Sequence, residues 1–320
     1  MSGPLDSLDP RGARDPLSAA RHQVVPRVPL CVAGEPVGSV ACDHLEHLRG
    51  WPQWIAWAPA QDRGDLRDPG DSVNPGEATT PDASRPTQVH LIAPPPERDT
   101  ALAEMNAALR REGLIRAWRD EPFSLFSPRD ARVLATFERA SARFWGTLTL
   151  GAHATGYVAD AAGRPTHLWI ARRAWNKATD PGCLDNLIGA GVPHGQTPRE
   201  AVLREGWEEA GLLPAQMQRL AAASVIELDR DVPEGRQFER LHAWDLQLDP
   251  DTQPANQDGE VAEFLRVPVQ EVAHMALSGA MTVDAALVTL DFLLRHGVLP
   301  EAQRHALAPR LAPLCRPAGG

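Results

Sequence analysis

Leu187-Ile-Gly-Ala-Gly-Val-Pro-His-Gly-Gln-Thr-Pro-Arg-Glu-Ala-Val-Leu-Arg-Glu-Gly-Trp-Glu-Glu-Ala-Gly-Leu212 contains a helix whose two ends are written into it. Thr197 is a good N-cap, Pro198 suits the first helical position, and Glu200 three residues on completes a capping box. Gly211 is suited to end the helix in the left-handed conformation. The spacing predicts a helix over 198–210.

On that helix Glu205, Glu208 and Glu209 stand at i, i+3 and i+4, so all three carboxylates share one face. Like charges this close repel unless a cation sits among them. Mg²⁺ answers that need, because it prefers carboxylate oxygens and keeps water positions for substrate phosphates; Mn²⁺ is an acceptable substitute. Arg204 can orient a carboxylate. The glycines at 189, 191 and 195 precede the helix N-terminus as a loop through which backbone can approach a phosphate. For the glutamates alone, a solvated acidic face is the competing explanation. The loop, the capped start and the Arg-Glu-x-x-Glu-Glu order together favour a metal–phosphate site.

Composition narrows the partner. In 320 residues, 42 acidic side chains oppose 32 basic ones, a net charge of −10. That argues against nucleic acid or an anionic membrane as the main partner and for a small-molecule ligand held by a few placed cations or a metal. Four scattered cysteines, none in a C-x-x-C pair, point to neither a disulfide framework nor a cysteine zinc site. No apolar leader and no membrane-spanning run is expected, and a reducing cytoplasm is the expected compartment.

Outward from the helix, the chain reads as α+β. Residues 1–22 are expected to be a disordered lead and 61–88 a solvated insertion, since both are rich in Pro and Gly and poor in large apolar residues. Between them and up to 140, strands over 25–40 and at 88–92 and helices over 43–49, 97–113 and 130–143 suggest a small α+β domain, 23–140. Strand patterns at 144–157, 167–171, 220–228, 238–248 and 264–267 follow, with helices near 283–296 and 301–314. They predict a mixed sheet with helices on its faces over 141–300, then a C-terminal helix and tail, 301–320.

The 187–212 segment resembles the Nudix box, G-x5-E-x7-R-E-U-x-E-E-x-G-U. Arg204, Glu205, Glu208, Glu209, Gly211 and Leu212 match; Ala190, Gln196 and Gly206 depart from it. The resemblance implies a Nudix α/β/α sandwich and a pyrophosphohydrolase in which Glu205, Glu208 and Glu209 bind metal. Gly151-x-His153-x-x-Gly156-Tyr157, Leu168–Arg173, Lys177 and Pro181–Asn186 resemble the Nudix branch related to thiamine pyrophosphokinase. There an extra N-terminal domain precedes the fold, and Trp118-Arg-Asp-Glu121 and Glu138-Arg-Ala140 resemble its W-R-N-E and E-R-A segments. This implies an organic diphosphate as substrate, thiamine diphosphate or its oxidised analogues, cleaved to the monophosphate and phosphate.

Under this resemblance Lys177 and Arg172 are candidates for the distal phosphate, with Arg173 sent to the opposite face by strand alternation. Asp185 and Asn186 either read a heterocycle's edge or tie the loop formed by Gly189, Ala190 and Gly191. Trp118 and Trp169 either stack on a flat ring or pack, and His153 is expected as a hydrogen-bonded core residue. Glu260 or Glu263 offers an extra acid. A nucleoside diphosphate derivative as substrate and a non-catalytic binding module are the alternatives. An isopentenyl diphosphate isomerase would need a cysteine where Gly189 stands. Oligomeric state is left open by the sequence.

Overall fold

The computed structural model describes residues 15–58 and 86–318. In its first unit, β1 (Arg27–Val32) and β2 (Glu35–Ala41) form a hairpin closed by Ala33 and Gly34. Both turn residues have positive φ, 52° and 78°, as a two-residue turn matching strand twist demands. With β3 (Ile55–Ala58) and β4 (Gln88–Leu91) they make a sheet ordered β2-β1-β4-β3. Helix α2 (Arg98–Arg111) covers it, inserting Leu102, Met105 and Leu109 at helical spacing.

The expected helix at 130–143 is instead a strand followed by a short helical turn. β5 (Pro122–Phe126) and β6 (Val133–Glu138) pair antiparallel, Phe123 opposite Phe137, and α3 (Ala142–Trp145) follows. The β-branched and aromatic residues Val133, Thr136 and Phe137 gain more from cross-strand packing than from a helical stripe. Phe144 and Trp145, expected to open the next strand, are buried in the core of this first unit.

The second unit is one eight-stranded mixed sheet. It comprises β7 (Leu148–Ala159), β8 (Pro165–Arg173), β9 (Leu184–Asp185), β10 (Ile188–Gly191), β11 (Leu220–Val232), β12 (Gly235–Gln247), β13 (Val261–Pro268) and β14 (Cys315–Pro317). The order is β13-β8-β7-β12-β11-β14, with β10 on β7 and β9 on β8; β7 and β12 run parallel. One face carries α4 (Pro198–Glu208) and α5 (Pro214–Met217) over Ala154, Ile188 and Leu246. The other carries α6 (Val269–Leu277), α7 (Val283–Arg295) and α8 (Glu301–Leu311) over Ile170, Leu228 and Leu241. This is the expected α/β/α sandwich. The C-terminal tail differs from expectation, for β14 extends the sheet along β11. No helix among the described residues is long and apolar enough to cross a membrane.

The lead also differs. Residues 1–14 lie outside the described residues, but α1 (Pro16–Ala19) is ordered, with Leu17 and Ala20 packed in the α7 core. Asp229 and Asp231 donate backbone N–H groups to the Ala20 and His22 carbonyls at 2.9 and 2.8 Å. The Asp231 carboxylate accepts from the N–H groups of Val24 and Val25 and from the Arg27 guanidinium. A few apolar residues plus these bonds offset the ordering cost that composition alone suggested would win. Of the expected insertion, all but its last residues lies outside the described residues; Gln88 already belongs to β4.

Candidate functional site

Helix α4 has the capped start its sequence specified and ends at Glu208, two residues short of the expected 210, with Glu209 as its C-cap. Thr197 Oγ1 accepts from Glu200 N–H at 3.2 Å, and Glu200 Oε2 accepts from Thr197 N–H at 2.8 Å. Gly211 has φ +64°, and a Cβ there would lie 2.6 Å from the Ala255 carbonyl oxygen. Gly206, where the Nudix pattern has a bulky residue, faces inward. A Cβ on it would lie 2.7 Å from Met217 Cε, so the methionine of α5 fills the volume that the missing side chain leaves.

The inner face of α4 buries Ala201 and Val202 against the sheet, and this fixes the acids. Glu209 is nearly inaccessible and its Oε2 accepts from Gly189 N–H at 2.9 Å. Burial first, and then the like charge of Glu205, push its carboxyl well above the usual carboxylate range. Burial likewise raises Glu205, opposed by Arg204 at 2.8 Å. The more exposed Glu208 pairs with the same guanidinium. Across the site, burial pushes Glu260 up, but Lys177 and Arg119 outweigh it and hold that carboxyl below its usual range.

Among the described residues, no three His, Cys, Asp or Glu side chains are already gathered tightly enough to hold an ion. Arg204 and Lys177 counterbalance Glu205, Glu208 and Glu260 instead. The donor chemistry nonetheless fits a hard divalent cation. Glu209 forms no ion pair among the described residues, and its buried carboxylate faces a second one whose charge raises it further.

Beside the helix a polar cleft of about 1030 Å³, open mouth included, runs between the two units. Its floor is the face of β7 and β12 carrying Thr149, His153, Gln237 and Glu239, with β10 along one side. Six arginines line it: Arg116, Arg119, Arg139 and Arg143 from the first unit, Arg173 and Arg236 from the second. Burial, and then the neighbouring Asp284, raise both Glu239 and Asp180, which also line the cleft.

The structure redistributes several expected roles. Gly189, Ala190 and Gly191 are strand β10 and not a loop, and neither glycine has positive φ. They serve close approach: a Cβ on Gly189 would lie 2.8 Å from Asp185 Oδ1, and one on Gly191 2.7 Å from Phe123 Cζ. Arg172 and Arg173 do point opposite ways, but the faces are reversed from expectation. Arg172 pairs with Glu263 on β13 and donates to the Gly182 carbonyl, whereas Arg173 reaches the cleft and binds Asp185 at 2.9 Å. Asp185 borders the cleft. Asn186 is a tie, accepting from His153 Nδ1–H at 2.9 Å and donating to Thr289 Oγ1 at 3.0 Å on α7. Its amide nitrogen also faces the Ala285 carbonyl, which orients Oδ1 toward the histidine.

Lys177 lies by Glu209 and Gly189. Glu260 is the acid on the α4 side of the site; Glu263 is spent on Arg172 at the sheet edge. Neither tryptophan lines the cleft. Trp169 is core beneath α4, and Trp118 packs in the first unit under the Arg110 guanidinium, 4.6 Å from its ring centre. Sequence reasoning missed the cleft arginines. Arg119 and Arg139 sat inside the two short segments noted above, and that placement was the available signal; Arg116, Arg143 and Arg236 carry none.

The family model for the NUDIX domain matches residues 149–287. An uncharacterized Nudix hydrolase, orf19, of Rhodococcus erythropolis is 31% identical over 124 residues, covering 38% of this chain and 67% of its own. The chain belongs to the Nudix family. The chloroplastic Nudix hydrolases 24 and 20 of Arabidopsis thaliana are 36% and 35% identical over 215 and 222 residues, 65% and 66% of this chain. The likeness therefore runs beyond the matched domain, while the chain spans 57% of the length of each plant relative.

Proposed function

We propose that the protein hydrolyses a small organic diphosphate, X–O–P–O–P, to the monophosphate and phosphate, with thiamine diphosphate and its oxidised analogues as first candidates. The observation that carries this is α4: an intact Arg-Glu-x-x-Glu-Glu run whose Glu209 is anchored to β10 beside an arginine-lined cleft. Glu205 and Glu209, joined by Glu208, would hold Mg²⁺ or Mn²⁺. When bound, the ion neutralises phosphate oxygens and activates water. Arg204 orients Glu205 and Glu208 from one guanidinium. Glu208, the most exposed of the three, would act as a further ligand or as the base that takes a proton from attacking water. Lys177 and Arg173 offer positive charge to the phosphates, and Asp185 fixes the Arg173 fork. Most of the catalysis is positional and electrostatic, as phosphoryl transfer usually is. The compartment we propose is the cytoplasm, on cysteine usage.

The test is a panel of organic diphosphates with Mg²⁺, thiamine diphosphate and its oxidised forms included, read by product mass. Faster turnover of a nucleoside diphosphate derivative reassigns the organic group. Release from no compound at all leaves a Nudix-fold binding module and refutes the hydrolase.

A further inference from the structure

We infer that the first unit completes the substrate site, with Arg119 and Arg139 gripping the phosphate end of the ligand between Glu260 and Gly191. This rests on the diphosphate reading above and adds two binding residues from outside the Nudix domain.

The two arginines are held by one construction. The Glu138 carboxylate accepts three backbone N–H groups, from Arg119 at 3.0 Å, Glu121 at 3.1 Å and Ala140 at 3.2 Å. It thus clamps the 119–121 loop to the turn that carries Arg139. Arg139 N–H donates to the Glu121 carbonyl at 2.9 Å, and its guanidinium to the Glu121 carboxylate at 2.8 Å. Trp118 Nε1–H donates to Asp120 Oδ1 at 2.7 Å and braces the loop from behind.

The backbone there is strained. Ala117 and Asp120 have φ of +55° and +57°, where residues with a Cβ seldom sit. Such conformations persist where surrounding contacts enforce them, commonly at ligand sites. Its effect here is to turn Arg116 and Arg119 into the cleft and Trp118 away from it.

The placement matches an anion. Arg119 Nη1 donates to Glu260 Oε1 at 3.2 Å, beside the Lys177 that neighbours Glu209. Arg139 lies against β10: a Cβ on Gly191 would meet its Cζ at 3.1 Å, so the glycine lets the guanidinium reach the strand. Gly189, whose N–H binds Glu209, is two residues back, roughly 7 Å along the strand. The metal-ligating helix and the arginine fork therefore flank one short strand. Among the described residues Glu121 is the one hydrogen-bonding carboxylate on Arg139, and it leaves most of the five guanidinium donors for a ligand. In the cleft six arginines face five acids, Asp180, Asp185, Glu234, Glu239 and Asp284, so it is the unpaired donors of Arg139, not a general positive field, that suit an anion.

The probe is imidodiphosphate, whose P–N–P bridge resists hydrolysis, titrated calorimetrically into the full chain with Mg²⁺. Arg119→Ala and Arg139→Ala should each weaken binding about tenfold or more, while Arg164→Ala, on an exposed turn, stays within twofold. Arg139→Lys keeps the Glu121 ion pair, and so the fold, but loses the fork; its affinity should fall between wild type and Arg139→Ala. Binding by Arg119→Ala and Arg139→Lys within twofold of wild type overturns the inference, as does a wild type that takes up no imidodiphosphate. Loss of binding in the variants of a wild type that hydrolyses no diphosphate sustains this inference and sinks the hydrolase reading alone.

Discussion

Replacing Glu209 by Gln should abolish the proposed turnover without weakening the metal-free fold, and the structure sets the size of the effect on stability. The amide oxygen of Gln can still accept from Gly189 N–H, so the most that geometry can forfeit is one hydrogen bond, about 1 kcal/mol. Against that loss, the substitution removes a charge that is buried and faces Glu205. In a chelator the variant should therefore melt within about 3 °C of wild type, taking roughly 2–4 °C per kcal/mol. Magnesium separates the two. A ligand at a hundred times its Kd stabilises the protein it binds by about 2.7 kcal/mol, roughly 5–11 °C here. Wild type should gain that shift, the variant little of it, and turnover should fall to background. Differential scanning fluorimetry with chelator and with graded Mg²⁺, beside phosphate release, reads all three. A variant that melts far below wild type in chelator would assign Glu209 to the fold, and a wild type indifferent to Mg²⁺ would refute the ion site.

Gly206→Leu should lose about 1–3 kcal/mol by overpacking against Met217, and adding Met217→Ala should restore much of it in urea melts; no restoration would mean that α5 does not occupy the volume assigned to it. Burial pushes Asp245 up, but hydrogen bonds from Arg295 and His296 outweigh it and hold the carboxyl below its usual range. A depressed carboxyl stabilises the fold above its unfolded pKa, near 3.8, and loses that contribution as pH falls through the folded value. The deficit of Asp245→Asn should accordingly be full at pH 7 and shrink below about pH 3.8. A deficit that holds steady with pH would rule out ionic stabilisation. Ala58 pairs with Gln88 across β3 and β4, so replacing 60–85 by a four-residue turn should leave melting temperature and kcat/KM unchanged; a folded but inactive product would assign the segment to the site.

The sequence disclosed those features whose cause is local. The capped α4, its left-handed stop at Gly211 and the shared face of Glu205, Glu208 and Glu209 follow from spacing along one helix, and the structure reproduces them. Features that arise from distant pairing were misread. β6 lies inside a stretch that reads as a helix over 130–143, although Val133, Thr136 and Phe137 favour a strand, until Phe123 lies opposite Phe137. Gly189 and Gly191 look like a flexible loop until β7 pairs with them and Asp185 and Phe123 press close. Arg172 and Arg173 illustrate the limit best: alternation says that they diverge, yet which one enters the cleft depends on β13 lying beside β8, some ninety residues on. The cleft arginines of the first unit were invisible as a set, because proximity across a sequence gap of this size leaves no periodic trace.

The stitching of residues 20–27 to Asp229 and Asp231 bears on how the Nudix half can be handled. A polypeptide begun at residue 141 would keep every glutamate of α4 yet strip α7 of its Leu17 and Ala20 cover and leave the Asp231 carboxylate without its donors. Such a fragment should be sticky and quick to precipitate, so the Nudix half is not a portable cassette: transplanting or shortening it has to begin upstream of Pro16.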